Sequence, residues 1–96
     1  MTMRFVWGES KRGESKRRRN LRDHGLDFVD APAVFPGPTF TFQDDRYQYE
    51  EPRFVTLGLL NGIPVSIAHT ETEDRMRIIS FRKATKREQQ IFFENI

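Results

Sequence analysis

The run from Arg75 to Glu88, RMRIISFRKATKRE, sets arginines into an alternating apolar strand and leads directly into a basic helix. As a regular strand it places Arg75 and Arg77 on one face with Ile79 and Phe81, and Met76, Ile78, Ser80 and Arg82 on the other. Arginines fixed on a strand present planar, permanently charged forks with little rearrangement, which suits them to an anionic ligand such as phosphate. Lys83 and Lys86 add charge to the same run. A second basic stretch, KRGESKRRRNLR over residues 11 to 22, carries Lys16 and Arg17 to Arg19. It reads as an anion-steering surface or as a solvated helix face.

Composition narrows the choice. The chain of 96 residues has 16 Lys plus Arg against 14 Asp plus Glu, a formal charge of +2 that does not by itself mark a nucleic-acid binder. The distribution says more than the sum: DDRYQYEE at 44 to 51 and ETED at 71 to 74 are acidic and lie between the basic runs, so the surface is patchy. Absence of cysteine excludes disulfides and thiolate metal sites, and two histidines make no convincing zinc site. No metal and no cofactor is expected. No apolar run reaches the length of a membrane span or a signal-peptide core. The expectation is a soluble cytoplasmic protein, one domain over residues 1–96, with a modest core.

The elements that must position these residues are set by punctuation and period. Arg4 to Trp7 (RFVW) is a short strand, and the polar stretch up to Gly25 is helix-forming, with Gly25 suited to its C-terminus. Within that stretch GESKR at 8 to 12 is repeated at once at 13 to 17, a small tandem duplication. Asp27 can cap a second helix through Phe28, Val29, Ala31 and Val34, limited by Pro32. PGP at 36 to 38 breaks the chain before the alternating Thr39 to Phe42. Arg53 to Leu60, the Asn61-Gly62 turn and Ile63 to His69 form the clearest hairpin. The Arg75 strand comes next, and a helix from Ala84 to Asn95 closes the chain, with Thr85 and Glu88 at capping-box spacing. The fold class is α+β: two N-terminal helices, an antiparallel sheet of about four to five strands and a C-terminal helix. Leu57, Leu59, Val65, Ile67, Ile78, Ile91 and Phe92 read as core, whereas Phe40, Phe42, Phe93 and Ile96 look surplus to it and would suit a protein partner.

Taken together, Trp7, the Glu-Ser-Lys unit, Asn20-Leu21, His24-Gly25, Phe28, Ala31, Val34-Phe35, Glu51-x-Arg53, Gly58 and above all RIISFRKATKRE resemble the BrnT toxins of bacterial toxin–antitoxin pairs, a family similar in fold to the RelE-like ribonucleases. The family pattern Trp-Asp-Glu-x-Lys, with Asn four residues beyond the Lys, is restored when one GESKR copy is removed, with Gly in place of Asp. Lys16 is then the matching lysine. Five extra residues inside a continuous helix would rotate the preceding segment by about 140°, so one copy, the first, is expected to be an irregular or frayed extension, the alternative being one uninterrupted helix that reaches away from the domain and could dock on a second chain.

The resemblance implies an endoribonuclease that cleaves RNA without metal, through the 2′-hydroxyl, and so inhibits translation. Such chemistry needs a base for the 2′-hydroxyl proton, cations for charge growing on the phosphate oxygens and an acid for the leaving oxygen. Arg77, Arg82 and Arg53 match family positions as phosphate clamps, with Arg75 a weaker fourth; each is equally read as the partner of a nearby acid or as a solvated side chain. Glu51 is a base or the salt-bridge partner of Arg53. His24 is the group able to act near neutral pH, or a cap for the last carbonyls of its helix. Lys16, Arg17, Arg75, Lys83 and Lys86 are candidate RNA contacts. Glu88 reads as a helix cap, His69 as an ordinary strand residue, and Tyr47 and Tyr49 as residues able to stack bases.

The implied partner is a BrnA-type antitoxin with a DNA-binding ribbon-helix-helix region, through which alone the complex would contact operator DNA, with room for a homodimer inside that complex. A reading from another class uses the same arginines in a non-catalytic module that binds RNA or an acidic protein. The two are told apart by whether a base and an acid converge on the arginine forks.

Overall fold

Asn61 and Gly62 both hold positive φ, 52° and 80°, the combination a two-residue type I′ turn requires. They close the hairpin of β3 (Arg53–Leu60) and β4 (Ile63–Glu71) that forms the middle of the sheet. The computed structural model describes residues 3–8 and 15–96. β5 (Arg75–Lys83) lies antiparallel to β4, and β2 (Phe40–Asp44) antiparallel to β3. β1 (Arg4–Val6) pairs in parallel with β5, Arg4 opposite Arg75 and Val6 opposite Arg77. The order is β1-β5-β4-β3-β2.

Two expectations are corrected. The sheet is mixed, not antiparallel, because β1 enters on the outer edge of β5 and runs in the same direction; a three-residue strand carries no sequence signal for direction. The second N-terminal helix is a 3-10 helix, Phe28–Ala33. Asp27 caps it as expected, accepting from the Val29 amide at 3.2 Å, but Pro32 removes a donor and the bonds that form reach back three residues, Asp30 to Asp27 and Val34 to Ala31, both at 3.0 Å. Among the described residues there is therefore one N-terminal α-helix, α1 (Lys16–His24), and a C-terminal one, α2 (Lys86–Glu94), and the fold remains α+β.

Both α-helices are bounded as their sequences demand. Ser15 is extended and its side chain accepts from the amides of Arg17 and Arg18, so α1 begins with the second GESKR copy. Gly25 ends it in the left-handed region, φ 72°, donating to the Leu21 carbonyl at 2.8 Å. How the first GESKR copy is accommodated falls largely on residues 9–14, outside the described residues. At α2 the Thr85 hydroxyl accepts from the Glu88 amide at 3.1 Å while Glu88 Oε1 accepts from the Thr85 amide at 2.9 Å, the reciprocal capping box.

One face of the sheet packs on the 3-10 helix: Phe28, Ala31 and Val34 meet Val65, Ile67, Met76, Ile78 and Phe81, all buried. Gly58 permits the close approach, since a Cβ there would stand 2.5 Å from Val34 Cγ1. α2 packs against β3 on the other face, with Leu57 and Phe92 buried and Ser66 Oγ donating to Glu88 at 3.4 Å. Leu59 and Ile91, expected in the core, are half-buried.

The regular alternation expected for the Arg75 strand is broken once. Ala68 pairs with Ser80 but His69 pairs with Ile78, so Ile79 is an extra residue in β5, a β-bulge. Beyond it the faces exchange, which puts Phe81 in the core with Met76 and Ile78.

Candidate active site

Arg77 stands opposite Thr70, and Arg82 opposite Ser66. Thr70 and Ser66 share a face of β4, so the bulge brings Arg77 and Arg82 to the same side of the sheet. They serve different surroundings there.

Arg82 is engaged. Its Nη1 and Nη2 donate to Glu88 Oε1 and Oε2 at 2.7 and 3.0 Å, and Nη1 also donates to the Lys83 carbonyl. Partial burial disfavours the ionised Glu88, yet Arg82 and the Thr85 amide hold its carboxyl below the usual range. The fork of Arg82 thus locks β5 to the first turn of α2. Lys83 and Lys86 are exposed beside it.

Arg77 lies in a cleft of about 350 Å³ that it lines with Lys16, Tyr49, Glu50, Glu51, Arg53, Thr70 and Ile79. Three elements supply the cations: α1 gives Lys16, β3 gives Arg53 and β5 gives Arg77. Among the described residues none of the three makes an ion pair. That separates them from Arg17, Arg46 and Arg82, whose forks are closed by Asp27, Asp44 and Glu88. Glu51 faces the same cleft and is exposed, but does not pair with Arg53 within salt-bridge distance. Arg53 instead rests on the ring of Tyr49, its guanidinium carbon 4.3 Å from the centroid.

The first turn of α1 reads Lys16, Arg17, Arg18, Arg19 with no acid. Cations at the positive end of a helix dipole work against the helix, but they add to the positive potential beside the cleft. The Arg17 fork is held by Asp27, which accepts from its Nε and Nη2 at 2.7 and 2.9 Å. Arg75 is exposed where β5 begins.

His24 ends α1 and lines an adjoining cleft of about 180 Å³ with Lys16, Arg19, Asn20, Asp23, Phe28, Ile79 and Ser80. Lys16 and Ile79 border both clefts. The structure therefore gathers Lys16, Glu51, Arg53 and Arg77, sets His24 next door, and gives Arg82 to α2.

Sequence reasoning missed the device that holds α1 in place. Buried Asn20 behaves as one more residue of sheet: its Oδ1 accepts from the Phe81 amide at 3.1 Å, and its Nδ2 donates to the Phe81 and Leu26 carbonyls at 2.7 and 2.8 Å. Its signals in the sequence are a lone amide amid charges and the family spacing that sets an Asn four residues beyond Lys16. His69 is no ordinary strand residue either, being 1 % exposed, with Nε2 2.8 Å from Thr56 Oγ1 and Nδ1 without a partner. Among the described residues no three His, Cys, Asp or Glu side chains are grouped to hold a metal ion, and no helix is long and apolar enough to cross a membrane.

No curated protein matches the chain. The family model of the ribonuclease toxin BrnT, of type II toxin–antitoxin systems, matches residues 13–88. The match starts at Gly13, the first residue of the second GESKR copy, and spans α1, the cleft residues and the capping box of α2. With most of its length so matched, the chain belongs to the BrnT family of ribonuclease toxins of type II toxin–antitoxin systems.

Proposed function

We propose that this BrnT-family chain is an endoribonuclease that cleaves RNA through the 2′-hydroxyl without a metal, inhibits translation in the cytoplasm, and is neutralised by a BrnA-type antitoxin through which the complex reaches operator DNA. The observation that carries the reading is the convergence of Lys16, Arg53 and Arg77, unpaired among the described residues, on one cleft that also holds Glu51. Unpaired cations attract a phosphate and stabilise the charge that grows on its oxygens as the 2′-oxygen attacks. Glu51, a carboxylate that lines the same cleft, takes the 2′-hydroxyl proton. His24, across Lys16, returns a proton to the leaving 5′-oxygen. Arg82 acts one step back by fixing β5 against α2, and the exposed Arg75, Lys83 and Lys86 extend the electrostatic attraction for RNA.

The test is incubation of purified protein with a long RNA in excess chelator, with and without the antitoxin. Cleavage that persists in chelator, stops with antitoxin and falls in Arg77→Ala, Arg53→Ala and Glu51→Gln supports the assignment. RNA binding with no cleavage under any condition would leave only a non-catalytic module.

A further inference from the structure

Arg53 faces Asp44 directly across the β2–β3 ladder, and an acid opposite an arginine is its natural partner. That carboxylate is already taken. Asp44 accepts from Arg46 Nε and Nη2 at 2.8 and 2.9 Å, and from the Tyr49 hydroxyl at 3.2 Å. Arg46 holds the Asp44 carboxyl down at about 2, so it stays ionised as an acceptor throughout the neutral range. The half-buried Tyr49 ring, tethered by its hydroxyl and flanked edge-on by Tyr47 at 5.9 Å, offers its face to Arg53. A ring face attracts a guanidinium without consuming its N–H donors, whereas a carboxylate would occupy two of them.

We propose that Tyr49 is a positioning residue for Arg53: with Asp44 diverted to Arg46, the tethered ring holds the guanidinium toward the cleft with its donors free for phosphate. The inference rests on the reading that Arg53 meets the RNA phosphate. It also assigns the Tyr49 face that Arg53 covers to the arginine and not to a stacked base.

The experiment compares wild type, Tyr49→Leu, Tyr49→Phe, Arg53→Ala and the Arg53→Ala/Tyr49→Leu double variant for kcat and KM on one RNA, with folding checked by Trp7 fluorescence melts. Tyr49→Leu is expected to lower kcat/KM about fivefold, the size of a cation–π contact of about 1 kcal/mol. Tyr49→Phe, which keeps the ring and loses the tether, should lose less. In the Arg53→Ala background, leucine at position 49 should cost nothing further. An undiminished penalty there would mean that Tyr49 acts on RNA or on the fold directly, and wild-type activity of Tyr49→Leu would equally overturn the proposal. Should the leucine variant melt early, Tyr49→Phe is carried through the same cycle, where a loss that survives Arg53→Ala rejects the inference. Wild-type activity of Arg53→Ala would instead remove the cleft reading, and the inference with it, whereas a loss in Arg53→Ala with none in Tyr49→Leu removes the inference alone.

Discussion

Arg77 and Arg82 lie on one face of the sheet although an odd number of steps along β5 separates them, because the bulge at Ile79 inserts the residue that restores their phase. Without the bulge one of them would point into the core. The same bulge lets Phe81 join Met76 and Ile78 in that core, so a single irregularity serves packing and site together.

Shared face does not mean shared role. Arg77→Ala should reduce RNA cleavage about 100-fold, the scale of losing one donor to a charged transition state, while shifting stability by less than about 0.5 kcal/mol. Arg82→Ala should do the reverse in part: it frees Glu88 and loosens the capping box, costing about 1 kcal/mol after allowance for the exposure of the pair and lowering Tm by roughly 5 °C. Thermal melts beside cleavage rates decide the matter. Equal melts for the two variants would show that the Arg82–Glu88 fork is not structural.

The hairpin, the capping box and the α1 terminus were legible because each rests on local chemistry: Asn-Gly at a type I′ turn, Thr85 with Glu88, Gly25 in the left-handed region. The cations of the cleft were legible as residues, through family positions, but not as a group. Whether Arg53 or Arg82 has a free fork depends on where Asp44, Tyr49 and Glu88 fall in space, and no spacing states that. The bulge was illegible for a related reason. Ile78 and Ile79 are alike in apolarity, so the pattern RMRIISF fits either phase until β4 fixes the register. The direction of β1 was likewise a tertiary outcome, whereas the 3-10 geometry turns on the donor that Pro32 lacks.

Gly58 tests the packing of the 3-10 helix on the sheet. A methyl group there meets Val34 Cγ1 at 2.5 Å, and both residues are buried, so Gly58→Ala should cost about 2 kcal/mol as an overpacked core does. Val34→Ala opens the space and should make the second substitution much cheaper than in wild type. Additive losses in urea titrations of the double variant would contradict the contact.

His69 ties stability to pH. Burial pushes its pKa down to about 4, while the unfolded chain takes up the proton near the ordinary value of about 6.5. Between those values the unfolded state binds more protons, so stability is intact above about 6.5 and is lost progressively as pH falls toward 4. Between pH 7.5 and pH 5 the loss should be on the order of 2 kcal/mol. Phe35 and Phe54 flank the ring and Thr56 is its hydrogen-bond partner; none of these can offset the new charge. His69→Leu should flatten the slope over this range whatever its effect on absolute stability, and an unchanged slope would place the proton uptake elsewhere.

The duplicated GESKR yields the last expectation. α1 starts only at Lys16, and the Ser15 side chain that caps it serves the amides of Arg17 and Arg18. The cap and the cleft lysine thus belong to the second copy, and the Asn20 clamp on Phe81 lies just beyond it on the same helix. The family match begins at Gly13 as well. Removing Gly8 to Arg12 leaves all of those groups in the chain and rejoins Trp7 to Gly13 at the family spacing. A helix continuous through both copies would turn by about 140° on such a deletion, but extended Ser15 already breaks the helix at that point. The deleted protein should therefore match wild type in Tm, in elution volume and in rate of RNA cleavage. A change from dimer to monomer, or a several-fold change in cleavage with Tm unaltered, would show instead that the first copy takes part in assembly or covers the cleft.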